Sequence, residues 1–265
     1  VTSTVTPRTA GANDSDRPEP VIGGYGKTLY FDLAPEAEVA LLARMLHREG
    51  YDDHTWGHIT YAQEDGTFLM SAWEVPWGDM KASDIVHCDA GGNFLDGRWS
   101  VTPAISLHLA THRLRPDIRV AVHHHSQYGS VWAAVSEVPE DYLQSNAGIA
   151  GELVLYDEYQ GDVTFAEIAE RNVLAMGENV AAVLANHGVF VVGDTIERAH
   201  QRAVNLEQRC QLAWRVKAMG ETKGKPLEPD VKQKLVRSIT NGRAGHRYYH
   251  AMIRREVMAD PSVLM

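Results

Sequence analysis

The sequence is poor in cysteine, in long apolar runs and in positive charge. Cys88 and Cys210 are its only two cysteines. Two thiols cannot make a disulfide framework, and both are expected to be buried in a reducing compartment. No uninterrupted apolar run approaches the length needed to span a bilayer. No apolar segment near the N-terminus resembles a signal peptide. No membrane association and a cytoplasmic location are therefore expected. Lys and Arg number 25 against 35 Asp and Glu, a net charge of −10 at pH 7. Such a deficit argues against a sequence-independent grip on nucleic-acid phosphates or acidic membranes. The rest of the composition is that of an ordinary soluble protein, 44% hydrophobic and 23% charged. Its 265 residues suffice to bury a real core without staples. Histidine is abundant: there are 13, and His123-His124-His125 are consecutive.

Residues 1–21 are rich in Thr, Ser, Asp and Pro and read as a flexible tail. Residues 22–265 read as a single domain. A first helix is expected from Pro35 to Glu49, ended by Gly50. Hairpins are expected around Glu64-Asp65-Gly66 and around Asp89 to Asn93. Pro103 to Leu114 reads as a helix with proline in its first turn, broken by Arg115-Pro116-Asp117. Ile118 to His125 reads as a strand, and Phe165 to Met176 as a helix capped by Thr164. Val180–Leu184 and Val189–Val192 read as strands around a tight Asn186-His187-Gly188 turn. Asp194 is the expected cap of a long helix, with Glu197 completing a capping box. The apolar stripe of that helix is Ile196, Ala199, Ala203, Leu206, Cys210, Ala213 and Trp214, and Gly220 stands at its C-terminus. Two shorter helices follow, about Asp230–Ile239 and Gly245–Met258. Hairpins first and helices around the later strands imply a mixed or largely antiparallel sheet faced by helices.

On a strand, His123 and His125 project from one face and His124 from the other. A same-face pair can share a metal ion at about 2.0–2.2 Å, and His187 in its turn offers a third imidazole. From spacing alone, surface or core-satisfied histidines stand as the alternative.

Arg115-Pro116-Asp117, Val120 to Ser126, and Leu184-Ala185-Asn186-His187-Gly188 together resemble the class II aldolase/adducin family. His108 lies seven residues before Arg115, where the family's helix carries its histidine. The resemblance covers about Val39 to Trp214. It implies an α/β fold, a three-layer α/β/α sandwich with a central mixed, mainly antiparallel sheet. It also implies a homotetramer with sites near subunit interfaces, and one divalent metal ion per subunit held by His123, His125 and His187. Zinc, manganese, cobalt and iron all suit three histidines. Retention of all three argues against an adducin-like, non-enzymatic module.

The departures from the family are equally informative. Its sugar-phosphate aldolases carry an acid/base Glu four residues before the helix histidine, and that position is Ala104 here. Their Gly-Asn-x-Ser phosphate turn is Gly57-His58-Ile59-Thr60. His58 is thus a candidate catalytic residue, a donor to a substrate carboxylate or phenolate, against a structural histidine at a turn. Trp73 and Trp77 are candidate walls of an apolar or aromatic pocket, against ordinary core or interface tryptophans. Ser126 is a candidate substrate contact. Tyr128 is a candidate donor to a developing anion, against a hydroxyl that only satisfies buried backbone. Tyr248 and Tyr249 are candidates for a proton donor carried into a neighbouring subunit, and Glu74 and Glu152 for a replacement carboxylate.

The favoured function is a metal-dependent lyase acting on a small, aromatic or oxo/hydroxy carboxylic acid, by decarboxylation or retro-aldol cleavage. Decarboxylation needs no base to begin, which suits Ala104. The alternative is a non-haem iron oxygenase. Relatives in aminocoumarin pathways resemble this sequence in the Gly-His-Ile-Thr turn and oxidatively decarboxylate an aryl 2-oxo acid. A sugar-phosphate aldolase or epimerase with a relocated acid/base is a third reading.

Overall fold

A computed structural model describes residues 33–158, 166–220, 224–241 and 243–265. The expected tail, the domain boundary at residue 22, and Thr164 with Phe165 lie outside those residues.

Eight strands form one sheet in the order β4-β3-β2-β1-β5-β8-β7-β6. They are β1 (His58–Ala62), β2 (Phe68–Met70), β3 (Val86–Cys88), β4 (Phe94–Asp96), β5 (Val120–His124), β6 (Leu153–Tyr156), β7 (Ala181–Leu184) and β8 (Gly188–Gly193). Only β6 and β7 pair in parallel; the other neighbours are antiparallel. Seven helices are described: α1 (Pro35–Arg48), α2 (Ser106–Leu114), α3 (Gly129–Val135), α4 (Ala166–Met176), α5 (Ile196–Ala218), α6 (Pro229–Asn241) and α7 (Arg243–Ala259). The result is the expected α/β architecture with a mixed, mainly antiparallel sheet.

Local chemistry explains the element ends. Pro35 opens α1, Glu36 and Glu38 lie in its first turn, and His47 and Arg48 in its last, an order that suits the helix dipole. The helix buries Leu41, Leu42, Met45 and Leu46 completely, about 1.5–3 kcal/mol for each side chain. Arg44 is buried with them because Met80 O, Asp79 O and the Asp260 carboxylate receive its guanidinium. The helix expected over Pro103–Leu114 is two pieces. A 3-10 turn spans Pro103–Ile105, with Ala104 at φ −85°, ψ 17°, and α2 follows. The cap of α5 is Thr195, whose hydroxyl accepts from Arg198 N. Asp194 sits one residue too early for that bond, and Glu197 instead accepts from Gln201 Nε2. The stripe of α5 is buried as expected except at Trp214, which is 44% exposed.

β5 and β8 lie mid-sheet, and the strand alternation sorts their side chains by face. His58 pairs with His123 and His123 with Phe190, so these three share one face, where His108 of α2 packs edge-on to Phe190. His124 points to the other face, where α1 and α5 pack and the ring of Tyr51 meets it at 5.3 Å. Cys88 and Cys210 are buried free thiols. Among the described residues, no helix is long and apolar enough to cross a membrane.

Candidate metal centre

Three structural features bring the histidines together. β5 ends at His124, so His123 lies within the strand and His125 just past its end. The β7–β8 turn reverses through Asn186, at φ 54°, and returns His187 to the same edge. Gly188 then lets β8 start against β5: a Cβ there would lie 2.6 Å from His124 O and 2.6 Å from His125 Cδ2. The ring centroids form a near-equilateral triangle, 4.6 Å for His123–His187 and 5.1 Å for each other side. One nitrogen from each ring lies within 4.8 Å of the other two.

The hydrogen bonds fix which nitrogens face the centre. His123 Nδ1 is 3.0 Å from Val189 O. A carbonyl can only accept, so Nδ1 carries the proton and Nε2 the lone pair. His125 Nδ1 donates to Asp53 Oδ2 at 2.7 Å. His125 Nε2 is buried without a hydrogen-bond partner among the described residues. A buried nitrogen lone pair with no donor opposite it is costly in an apo protein and natural in a metal ligand. Burial, and then the neighbouring imidazoles, hold the His123 pKa well below the ordinary histidine range, which keeps it neutral as a ligand must be. The donor set therefore fits a divalent ion.

A second group of histidines borders the first. The His58 ring lies 5.0 Å from that of His123. Its Nδ1 is 3.2 Å from His108 Nε2. Thr60 Oγ1 is 2.8 Å from both His108 Nδ1 and His112 Nε2, and His112 Nδ1 is 3.2 Å from Ile118 O. Burial lowers the pKa of His58 to about 3 and that of His112 to about 4, and holds His108 well below the ordinary range.

Residues 37–214 match the family described as Class II Aldolase and Adducin N-terminal domain. The chain belongs to the class II aldolase and adducin family. Relatives include the meiotically up-regulated gene 14 protein of Schizosaccharomyces pombe, 28% identical over 66% of this chain and 69% of that protein. Another is the 4-hydroxy-3-prenylphenylpyruvate oxygenase/4-hydroxy-3-prenylbenzoate synthase of Streptomyces roseochromogenus subsp. oscitans, 26% identical over 71% of this chain and 70% of that one. Decarboxylase NovR of Streptomyces niveus is 24% identical over 84% of each chain. The fold matches that of an aldolase II superfamily protein from Pseudomonas syringae with a TM-score of 0.79. That match has 22% identity and covers 88% of this chain and 98% of that one.

Trp77 is buried against His124, with ring centroids 4.5 Å apart. It thus lies on the face of β5 opposite His123. Trp73 is on the loop after β2 and 36% exposed. The Ser126 hydroxyl donates to Glu207 Oε2 at 2.7 Å. The Tyr128 ring packs on Trp214, and its backbone N–H donates to Glu207 Oε1. Both residues therefore tether the loop after β5 to Glu207 of α5. Glu74 accepts from Ser100 N on an exposed loop, and Glu152 contributes its carbonyl to the start of β7. Tyr248 and Tyr249 both pack on His200 within their own chain.

Sequence reasoning missed two carboxylates. Asp53 orients His125 from 72 residues away. Glu207 of α5 accepts from Ser126 Oγ, Tyr128 N and Gly129 N, 78–81 residues before it. Nothing in local spacing marks either.

Proposed function

We propose that this class II aldolase-family chain is a metal-dependent carbon–carbon lyase. Its substrate is a small oxo or hydroxy carboxylic acid, aromatic acids included, cleaved by decarboxylation or a retro-aldol step. His123, His125 and His187 hold one divalent ion. Bound there, the ion would act as a Lewis acid, polarising a carbonyl or carboxylate oxygen and accepting the charge left by bond cleavage.

The observation that carries this reading is His125: Nδ1 fixed by Asp53 and Nε2 buried without a partner. The residues of this chain do the rest. Val189 O and Asp53 hold two imidazoles in the tautomer whose Nε2 is free to bind. All three ligands are neutral groups, so the ion's charge is undiminished. Among the described residues, the metal-binding cluster consists of these three histidines and includes no carboxylate. Ala104 holds only a methyl group where sugar-phosphate aldolases place their acid/base Glu. Cleavage by loss of carbon dioxide suits such a centre, because no base is needed to start it. The relative named decarboxylase NovR supports the same reading. The partly exposed His125 and His187 suit a centre that lies near a subunit interface, and a homotetramer is the proposed assembly.

A second reading has specific support: the relative named as an oxygenase and benzoate synthase. Three histidines with open positions also suit non-haem iron and dioxygen. Zinc- and iron-loaded protein, each offered aryl 2-oxo acids with and without oxygen, distinguishes the two. Carbon dioxide release from the anaerobic zinc or manganese form supports the lyase. Release that requires both iron and oxygen supports the oxygenase. No release or cleavage of any oxo or hydroxy acid in either form would overturn both.

A further inference from the structure

The side chains from His112 to His58 form a hydrogen-bond chain with only one consistent proton arrangement. Ile118 O can only accept, so His112 Nδ1 is protonated and, in the neutral ring, Nε2 is an acceptor. Thr60 must then give its single hydroxyl proton to His112 Nε2. Its oxygen therefore accepts from His108, whose Nδ1 carries the proton. His108 Nε2 is left as an acceptor and takes the proton of His58 Nδ1. That leaves a lone pair on His58 Nε2. His58 stands directly opposite His123 in the β1–β5 register, on the same face.

We infer that Ile118 O, His112, Thr60 and His108 act as positioning groups that lock His58 as a hydrogen-bond acceptor beside the three-histidine centre, selecting substrates that place an un-ionised hydroxyl there. This inference rests on the proposed metal centre and specifies its substrate class. It reverses the role expected for His58 from sequence, a donor to a carboxylate or phenolate. An oxygen with no proton, such as that of a phosphate or carboxylate, would face a lone pair and lose its hydrogen bonds to water. A hydroxy acid or a phenol supplies the missing donor. The same polarity disfavours a sugar phosphate whose phosphate lies against His58, the turn where aldolases of the family hold that group. Such a site rejects an analogue lacking the hydroxyl more strongly than an apolar pocket would, because a buried acceptor is left unpaired.

Neutron diffraction from deuterium-exchanged, zinc-loaded crystals at pH 7 tests the arrangement directly. Deuterium is expected on Nδ1 of His58, His108 and His112, and none on His58 Nε2. Deuterium on His58 Nε2 overturns the inference. In solution, glycolate and its methyl ether, methoxyacetate, are compared by calorimetry on zinc-loaded protein. In Thr60→Val, His108 loses its acceptor and both imidazoles are released to switch tautomer. Glycolate is expected to bind at least about tenfold more tightly than the ether in the parent and in Thr60→Ser, and within about threefold in Thr60→Val. An unchanged preference in Thr60→Val, or phosphoglycolate binding more tightly than glycolate to the parent, overturns it. Failure of the parent to bind zinc would sink the metal centre instead, and metal-free crystals would still report the His58 tautomer.

Discussion

Replacing Asp53 by alanine separates a ligand-orienting carboxylate from one that merely stabilises the fold. In the parent, Asp53 Oδ2 takes the His125 Nδ1 proton at 2.7 Å, which fixes both the tautomer and the plane of the ring. Loss of such a partner commonly weakens metal affinity about 10- to 100-fold. Here the side chains of His125 and Asp53 are 24% and 31% exposed, so water can occupy the vacated position. The expected loss is accordingly near the lower end, about tenfold or about 1.4 kcal/mol. A partly exposed pair of this kind contributes only about 0–1 kcal/mol to folding, so the unfolding midpoint should move little. The assay is zinc competition against a chromophoric chelator, run beside thermal unfolding of the metal-free protein. Asp53→Asn, whose amide oxygen can still accept, should recover part of the affinity. Unchanged zinc affinity in Asp53→Ala would refute the assignment of His125 Nε2 as a ligand. A large loss of folding stability with unchanged affinity would show that the pair is structural.

Glu207→Ala leaves the Ser126 hydroxyl and the Tyr128 and Gly129 amides without their acceptor. Urea denaturation should show a loss of about 3–9 kcal/mol, since each of the abandoned donors costs about 1–3 kcal/mol. His200 is fully buried with neither ring nitrogen hydrogen-bonded among the described residues, and its pKa is lowered to about 3. A lowered histidine pKa means the unfolded chain binds the extra proton, so stability is lost as pH falls from about 6.5 toward 3. His200→Phe should therefore gain about 2 kcal/mol on the parent between pH 6.5 and 5, read as unfolding midpoints, and an equal response in both would remove His200 as the cause. Gly57→Ala would place a Cβ 2.0 Å from His124 Cδ2 and 2.9 Å from Trp77 Cζ2. It should destabilise the protein by about 1–3 kcal/mol, as overpacking does. Ala104→Glu should not raise the rate of a decarboxylation, and a large gain would show that the native reaction needs the missing carboxylate.

Much of the fold was legible because it is written in local patterns. The Asp-Gly and Gly-Gly hairpins, the proline that opens α1 and the alternation along β5 each involve residues close in sequence. The His-x-His pair and the Asn-His-Gly turn were legible for the same reason. Strand alternation correctly put His124 on the face away from His123. It said nothing of Trp77, whose side of the sheet is decided by packing on Tyr51 and His124. Asp53 and Glu207 were missed because each meets its partners across tens of residues. The tautomer inferred for His58 rests on a chain of partners ending at Ile118 O, none of which a turn motif reveals. Thr195 in place of Asp194 as the α5 cap is a one-residue error, typical of a segment offering two adjacent capping side chains.

The most direct test is the metal content of protein purified without oxygen or added metal, measured by elemental analysis for the parent and for His125→Ala. The expected result is about one divalent ion per chain in the parent and little in the variant, with both still folded by circular dichroism. A parent without metal after reconstitution, or a variant that holds it as well as the parent, would contradict the three-histidine centre.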